Sequence, residues 1–392
     1  MVRGESAKIA LDYAEKALGD GLSWTDEQWG FEVPVLVALT FMYCDQPGRA
    51  EDLFQQGIRE CETKGWRGAH LSFGYTLLGY IRYRRGRLDD AETLVRAGLR
   101  IADRVGHMVP AQYFAIGILV EILLARGRTA EAQELAAAYN YGDVVPSAVV
   151  YPDAETVHSE LLLALGRRRE AEQRLARVGL RLEARGMRNP TWCPWRLHLA
   201  RATDDPERAL ELAREGLELA RRFGTESAIG QALHATASIS AGTRRLDLLA
   251  EAVAHFERSP AGYELACALV DHGVALRRAG LRQEAGERLH RGLEEAVRCG
   301  ADGLAARARA ELDATGLLPL QLRTAATQSL TAQERSVAEW AAAGWSSDRI
   351  AEELDTSAAA VDRLLSDIYR KVGSDRAGLS RLLGGQGPGL MG

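Results

Sequence analysis

The sequence predicts an all-α protein, a superhelical array of helical hairpins over residues 1–314 followed by a small four-helix domain over residues 330–383. Three observations lead there. A short phrase, most often opening on Gly-Arg and carrying an alanine and a leucine, returns about every 40 residues, and apolar residues fall at helical spacing on both sides of it. Near residue 315 that pattern stops, and a new one begins with capping residues of its own.

Taken in order, the chain opens with MVRGESAKIALDYAEKAL, where Ala7 to Leu18 reads as an amphipathic helix and no apolar core of a signal peptide is present. A cytoplasmic location is expected. This lone helix has the character of the second half of a hairpin, so a preceding neighbour is expected to be missing. The repeated phrase then appears as GRAEDLFQQG from Gly48, GRLDDAETLVRAG from Gly86, GRTAEAQEL from Gly127, GRRREAEQRL from Gly166, DPERALELAREG from Asp205 and GLRQEAGERLHRG from Gly280. Its alanines at 50, 91, 132, 171 and 209 stand 41, 41, 39 and 38 residues apart, and Ala285 lies 76 further on, two more periods. The weaker TRRLDLLAEAVAHF fills the gap. Each phrase follows an apolar segment such as AIGILVEILLARG, so glycine supplies the turn while small residues let two helices approach. A single hairpin cannot bury its own apolar face, which requires neighbours to stack into a superhelix.

Two places interrupt the array. AYNYGDVVPSAVVYPDAE, Ala138 to Glu155, is too long and turn-rich for a simple connection, and its Tyr139, Tyr141 and Tyr151 are candidates to project into the concave surface. RNPTWCPWRLHLAR, Arg188 to Arg201, gathers Trp192, Trp195, Arg196 and His198 around two prolines. Aromatics beside arginine suit a peptide or small-molecule effector, and equally suit the filling of gaps between hairpins. Residues 315–329 lose helical periodicity and read as a linker, and residues 384–392 read as a flexible tail.

Residues 330–383 contain four helical segments. Thr331 and Glu334 have capping-box spacing for the first, Ser346 or Ser347 caps the second, Ser357 caps the third and Ser374 opens the fourth. In the third, Val361, Leu364, Leu365, Ile368 and Val372 form one apolar stripe. The opposite face then presents Ala359, Asp362, Arg363, Ser366 and Arg370, with Lys371 at its end, to a DNA major groove.

With those residues in place, the repeats resemble tetratricopeptide repeats in a longer, divergent form, and residues 330–383 resemble the LuxR-type helix-turn-helix. Leu330-Thr331, Glu334-Arg335, Gly344, Ile350-Ala351, Leu354, Ser357, Val361, Leu365, the run Tyr369-Arg370-Lys371, Gly373 and Arg376 carry the second resemblance. The combination is similar to the C-terminal part of large ATP-binding LuxR-family regulators of actinobacteria. It implies a transcriptional regulator whose repeats sense a signal and whose last domain binds promoter DNA as a homodimer. The departures are Ser347 where the family has Asn, Asp348-Arg349 where it has a basic residue and Glu, Ala360 where it has Thr, and Leu364 where it has His.

Charge bears on this reading. The whole chain carries −5, and residues 330–383 hold seven basic against nine acidic side chains. Phosphate neutralisation supplies most non-specific affinity, so DNA contact must come from a local concentration of arginine. Arg363 is placed for guanine, and Arg370 and Lys371 for phosphates. A protein-interaction scaffold with a vestigial helix-turn-helix is the alternative.

Enzymatic chemistry is not expected. None of the four lysines completes the Gly-Lys-Ser/Thr of a P-loop, no HExxH, GxSxG or CxxC occurs, and five scattered cysteines frame neither disulfides nor a zinc site. No metal or cofactor is expected, and no membrane span. The expected partners are promoter DNA, a second copy of the chain, and a small-molecule or peptide effector or partner protein.

Overall fold

The structure is a computed structural model that describes residues 3–19, 21–25, 31–107, 109–142, 151–316 and 330–372, together with Arg376 and Leu379. The predicted tail, nearly all of the linker and most of the fourth C-terminal helix lie outside these residues. The described residues form nineteen helices and no strand.

Helix α1, Ala7–Leu18, precedes seven helical hairpins. These are α2 and α3 (Glu32–Tyr43, Pro47–Thr63), α4 and α5 (Ala69–Arg84, Leu88–Val105), α6 and α7 (Pro110–Ala125, Thr129–Ala138), and α8 and α9 (Ala154–Ala164, Arg168–Ala184). They continue with α10 and α11 (Trp195–Ala202, Pro206–Phe223), α12 and α13 (Glu226–Ser238, Gly242–Glu257), and α14 and α15 (Gly262–Arg278, Arg282–Cys299). Helix α16, Asp302–Asp313, follows the last hairpin. The Gly-Arg phrases fall at the turns as their spacing requires. Gly86 and Gly127 have φ of 72° and 79°, the left-handed conformation that ends one helix and starts the next.

The two helices of a hairpin bury different amounts of themselves. On α5 the buried residues Leu88, Ala91, Val95, Gly98, Leu99 and Ala102 form one stripe, and the remaining face is polar. On α6 nearly every residue from Ala111 to Leu123 is buried, because helices of its own and the adjoining hairpins surround it. Close approach is built in: a Cβ on Gly98 would stand 2.9 Å from the Ser72 carbonyl oxygen, and the Ser72 hydroxyl donates to the Gly98 carbonyl at 2.8 Å.

The chain divides into two compact units, residues 1–268 with 295–304, and residues 269–294 with 305 onward. Within the first, the array curls until late segments touch early ones. The Gly303 N–H donates to the Arg126 carbonyl at 3.2 Å, and the Arg126 guanidinium pairs with Asp89 and reaches Asp302 at 3.5 Å. Gly86 lies against Tyr263 and Cys299, and the Ser227 backbone N–H donates to Asp45 at 2.9 Å.

In the second unit, Arg277 pairs with Glu311 at 2.6 Å and Asp271 with Arg307 at 2.5 Å. Its C-terminal part contains α17 (Ala332–Ala342), α18 (Ser347–Glu353) and α19 (Ala358–Val372). These bury a core of their own from Leu330, Val337, Ala341, Ile350, Val361, Leu365, Ile368, Val372 and Leu379.

Candidate functional site

The three C-terminal helices are held at their ends by the caps the spacing predicts. The Thr331 hydroxyl accepts from the Glu334 N–H at 3.2 Å and the Glu334 carboxylate accepts from the Thr331 N–H at 2.9 Å, a complete capping box. Ser346 caps α18, accepting from the Arg349 N–H at 3.3 Å without a reciprocal acid, and Ser357 caps α19, accepting from Ala360 at 3.3 Å. Between α18 and α19 the chain turns through Asp355, whose φ is 50°.

This arrangement exposes Ala359, Asp362, Arg363, Ser366 and Arg370 on one face of α19 while Val361, Leu365, Ile368 and Val372 are buried on the other. Leu364 packs partly buried against the same core. The polar groups on the exposed face are committed to different degrees. Asp362 accepts from the Ser347 hydroxyl at 2.6 Å, tying the start of α18 to α19, and the Ser366 hydroxyl turns back to the Asp362 carbonyl at 2.8 Å. Arg370 pairs with Asp367 one turn earlier. The Lys371 ammonium pairs with Glu334 at 2.6 Å, and that bond, with the Thr331 N–H, holds the Glu334 carboxyl below its ordinary value. Arg363 spends only its Nε, which donates to the Ala359 carbonyl at 3.2 Å, and so keeps its two terminal amines for another partner. Elsewhere in the domain Arg349 stacks on Trp345 at 3.9 Å, and Trp345 stacks on Trp340 at 5.6 Å.

The aromatic candidates in the repeats are engaged in packing. Trp192 is 4% exposed and its ring lies 5.4 Å from that of Tyr151, itself against Tyr43 and Phe114. Trp195 packs on Gly179, and Arg196 stacks over it at 4.3 Å while pairing with Glu183 and with Glu215 at 3.0 Å. Tyr139 donates to the Asp103 carboxylate at 3.0 Å. Tyr141 is 2% exposed, and its hydroxyl sits against Gly117 with no hydrogen-bond partner.

A set of polar residues that spacing did not group together faces the interior of the array. Tyr80, Glu121, Glu160, His198, Gln231 and Glu264 come from the first helices of six successive hairpins and stand 41, 39, 38, 33 and 33 residues apart. Arg84 follows Tyr80 by one turn. Tyr83, Arg84, Glu121, Glu160 and Tyr263 lie deep in the unit, where burial is the largest influence on their ionisation, yet each keeps accessible surface. The two facts hold together for groups that line an internal space. Burial, reinforced by Glu160 and Glu264, raises the Glu121 carboxyl well above its ordinary value, with Arg84 opposing. Burial also acts to raise Glu160, but His198 at 2.8 Å, Arg201 and Arg84 outweigh it and leave that carboxyl lowered. One signal was available in the sequence, the return of a polar residue in an apolar helix at the repeat period.

The fold defines a class, an all-helical repeat protein ending in a helix-turn-helix domain. Residues 328–376 match the family model of bacterial regulatory proteins of the luxR family, so the chain carries a LuxR-type helix-turn-helix at its C-terminus. No curated protein matches the chain. Among solved structures, it is similar to a Signal Transduction ATPase with Numerous Domains (STAND) protein with a tetratricopeptide repeat sensor from Pyrococcus horikoshii, at 13% identity and a TM-score of 0.45. That likeness covers 92% of this chain and 53% of the other, so the chain spans about half of that protein's length. It is also similar to a Rap protein complexed with competence and sporulation factor, at 12% identity and a TM-score of 0.39, covering 93% of this chain and 98% of that one. The apo form of RapI aligns at 14% identity and a TM-score of 0.30, covering 96% and 93%. No helix among the described residues is long and apolar enough to cross a membrane, and no group of three metal-ligating side chains is placed to hold an ion.

Proposed function

We propose that the protein is a DNA-binding transcriptional regulator of the cytoplasm, not an enzyme, in which the repeat array senses an effector or protein partner and the C-terminal domain binds promoter DNA as a homodimer. The observation that carries this reading is the exposed face of α19, where Arg363 keeps two terminal amines uncommitted beside Ser366 and Arg370. A guanidinium in that position can take guanine O6 and N7 together. Arg370 is held by an exposed ion pair to Asp367, worth roughly 0–1 kcal/mol, that yields readily to a phosphate, whereas Lys371 is anchored to the buried Glu334 of the capping box and adds positive charge at the end of the same face. One domain grips one half-site, so two heads are needed for useful affinity.

The test is selection of fragmented DNA from the source genome by the full chain, followed by titration of the best fragment at two salt concentrations and sizing of the complex. Selective binding by two copies, weakening steeply with salt, is expected. The Arg363→Ala variant should lose the preference at one base position while retaining its fold, with a cost of about 1–3 kcal/mol. Absence of enrichment over random DNA at low salt would overturn the reading in favour of a scaffold, consistent with the excess of acidic residues in the domain.

A further inference from the structure

The interior of the repeat array holds charged groups of both signs that do not satisfy one another. The Arg84 guanidinium makes no hydrogen bond or ion pair among the described residues, although Glu264, Tyr80, Tyr43 and Tyr83 surround it closely enough to favour its charged form. Glu121 Oε2 and Glu264 Oε2 are buried without a partner, Glu264 otherwise receiving only a long 3.4 Å bond from the Gln231 amide. Independently of these acids, the Tyr141 hydroxyl is buried and unpartnered against Gly117, one turn before Glu121. His198, which holds Glu160 through Nε2, leaves Nδ1 unpartnered too. Buried polar groups are almost always paired, and several orphans lining one space mark a place where partners are supplied from outside.

The signs select the partner. A polyanion such as phosphate would meet Glu160 and Glu264, and a diamine would meet Arg84. A molecule with one anionic and one cationic group satisfies both sets. We propose that the interior of the array is a binding site for a small zwitterion, a free amino acid or a short peptide, whose carboxylate takes Arg84 and whose ammonium lies between Glu121 and Glu264. Tyr141 and Gln231 complete the polar lining. An ammonium beside Glu121 acts, with Arg84, against the burial that raises its carboxyl. Tyr43 on α2, Arg84, Tyr80 and Tyr83 on α4, Tyr141, Glu160 on α8, His198 and Arg201 on α10, and Tyr263 and Glu264 on α14 are the other titratable groups in this cluster.

The inference deepens the sensing half of the proposed function. It is tested on the full chain without DNA, so failure of DNA binding and failure of this site are separate results. Pools of free L-amino acids and of dipeptides are screened for a rise in melting temperature, with putrescine and inorganic phosphate as single-sign probes, and any hit is titrated calorimetrically. At least one zwitterion should raise the melting temperature while both single-sign probes leave it unchanged. The hit should lose affinity by tenfold or more when its amine is acetylated, and likewise on Arg84→Met and on Glu121→Gln. Glu121→Gln keeps the size of the side chain and serves where Arg84→Met fails to fold. A shift by putrescine or phosphate equal to the best zwitterion would overturn the assignment, as would no shift by any pool at millimolar concentration.

Discussion

His272 shows how far a single side chain can set the pH response of this array. It is buried on α14, and burial, with Arg288 adding to it, lowers its pKa from 6.5 to about 4. A group depressed in the folded state gives stability that is complete above its unfolded value and is lost as pH falls toward the folded one, so the window here runs from about 6.5 down to about 4. With solvent screening allowed for, the loss is on the order of 2 kcal/mol. His272→Leu should remove that component: between pH 7.5 and 4.5 the urea midpoint should fall less in the variant than in the parent, and equal falls would refute it. Neither this burial nor the commitments on α19 can be read from spacing. The split of α19 into a buried stripe and an exposed face was legible, because helical period alone decides which residues point together. That Lys371 is tied to Glu334 and Asp362 to Ser347 was not, because each pair joins residues on different helices and depends on how those helices cross.

Among the elements, the hairpins were legible where glycine and alanine recur with the period, since those residues mark the close approach of two helices. Gly98 on α5 illustrates why. A methyl group there would meet the Thr76 hydroxyl and stand 2.9 Å from the Ser72 carbonyl oxygen, and backbone cannot move aside without shifting α4. Ala is the better helix former by about 1 kcal/mol, yet overpacking of this kind costs about 1–3 kcal/mol, and it also disturbs the Ser72 bond to the Gly98 carbonyl. Gly98→Ala should therefore lower the denaturation midpoint, whereas at Gly48, where nothing lies within 4 Å of an added Cβ, the same change should be neutral or stabilising. Reversal of that order would refute the packing argument. The segments from Ala138 and from Arg188 were marked by composition as irregular, but the aromatics there resolve into ring contacts that no local pattern specifies.

At the scale of the first compact unit, a repeat array need only touch its neighbours, and its stability is then nearly a sum of adjacent interfaces. This one does more. The turn at Arg126 and Gly127, between α6 and α7, meets the start of α16 at Asp302 and Gly303, segments separated by α7 and four complete hairpins. The periodicity announced stacking but not this return, because the return depends on the small rotation added at every hairpin and no single residue encodes it. The contact is intimate, with a Cβ on Gly303 falling 2.9 Å from the Gly127 Cα. Gly303→Val is thus a wedge between two backbones, and the side chain it adds also crowds the Gly303 N–H bond to Arg126. If this return is what couples the distant hairpins, the parent should unfold over residues 1–268 and 295–304 in one transition, and the variant should release residues 295–304 first. Hydrogen exchange followed by mass spectrometry distinguishes the two. Protection lost early in peptides covering residues 295–304, with peptides from α4 to α6 also weakened, is the expected outcome. Uniform loss across the array would mean that adjacent interfaces alone carry its cooperativity, and an unchanged profile would mean that the contact contributes nothing to it.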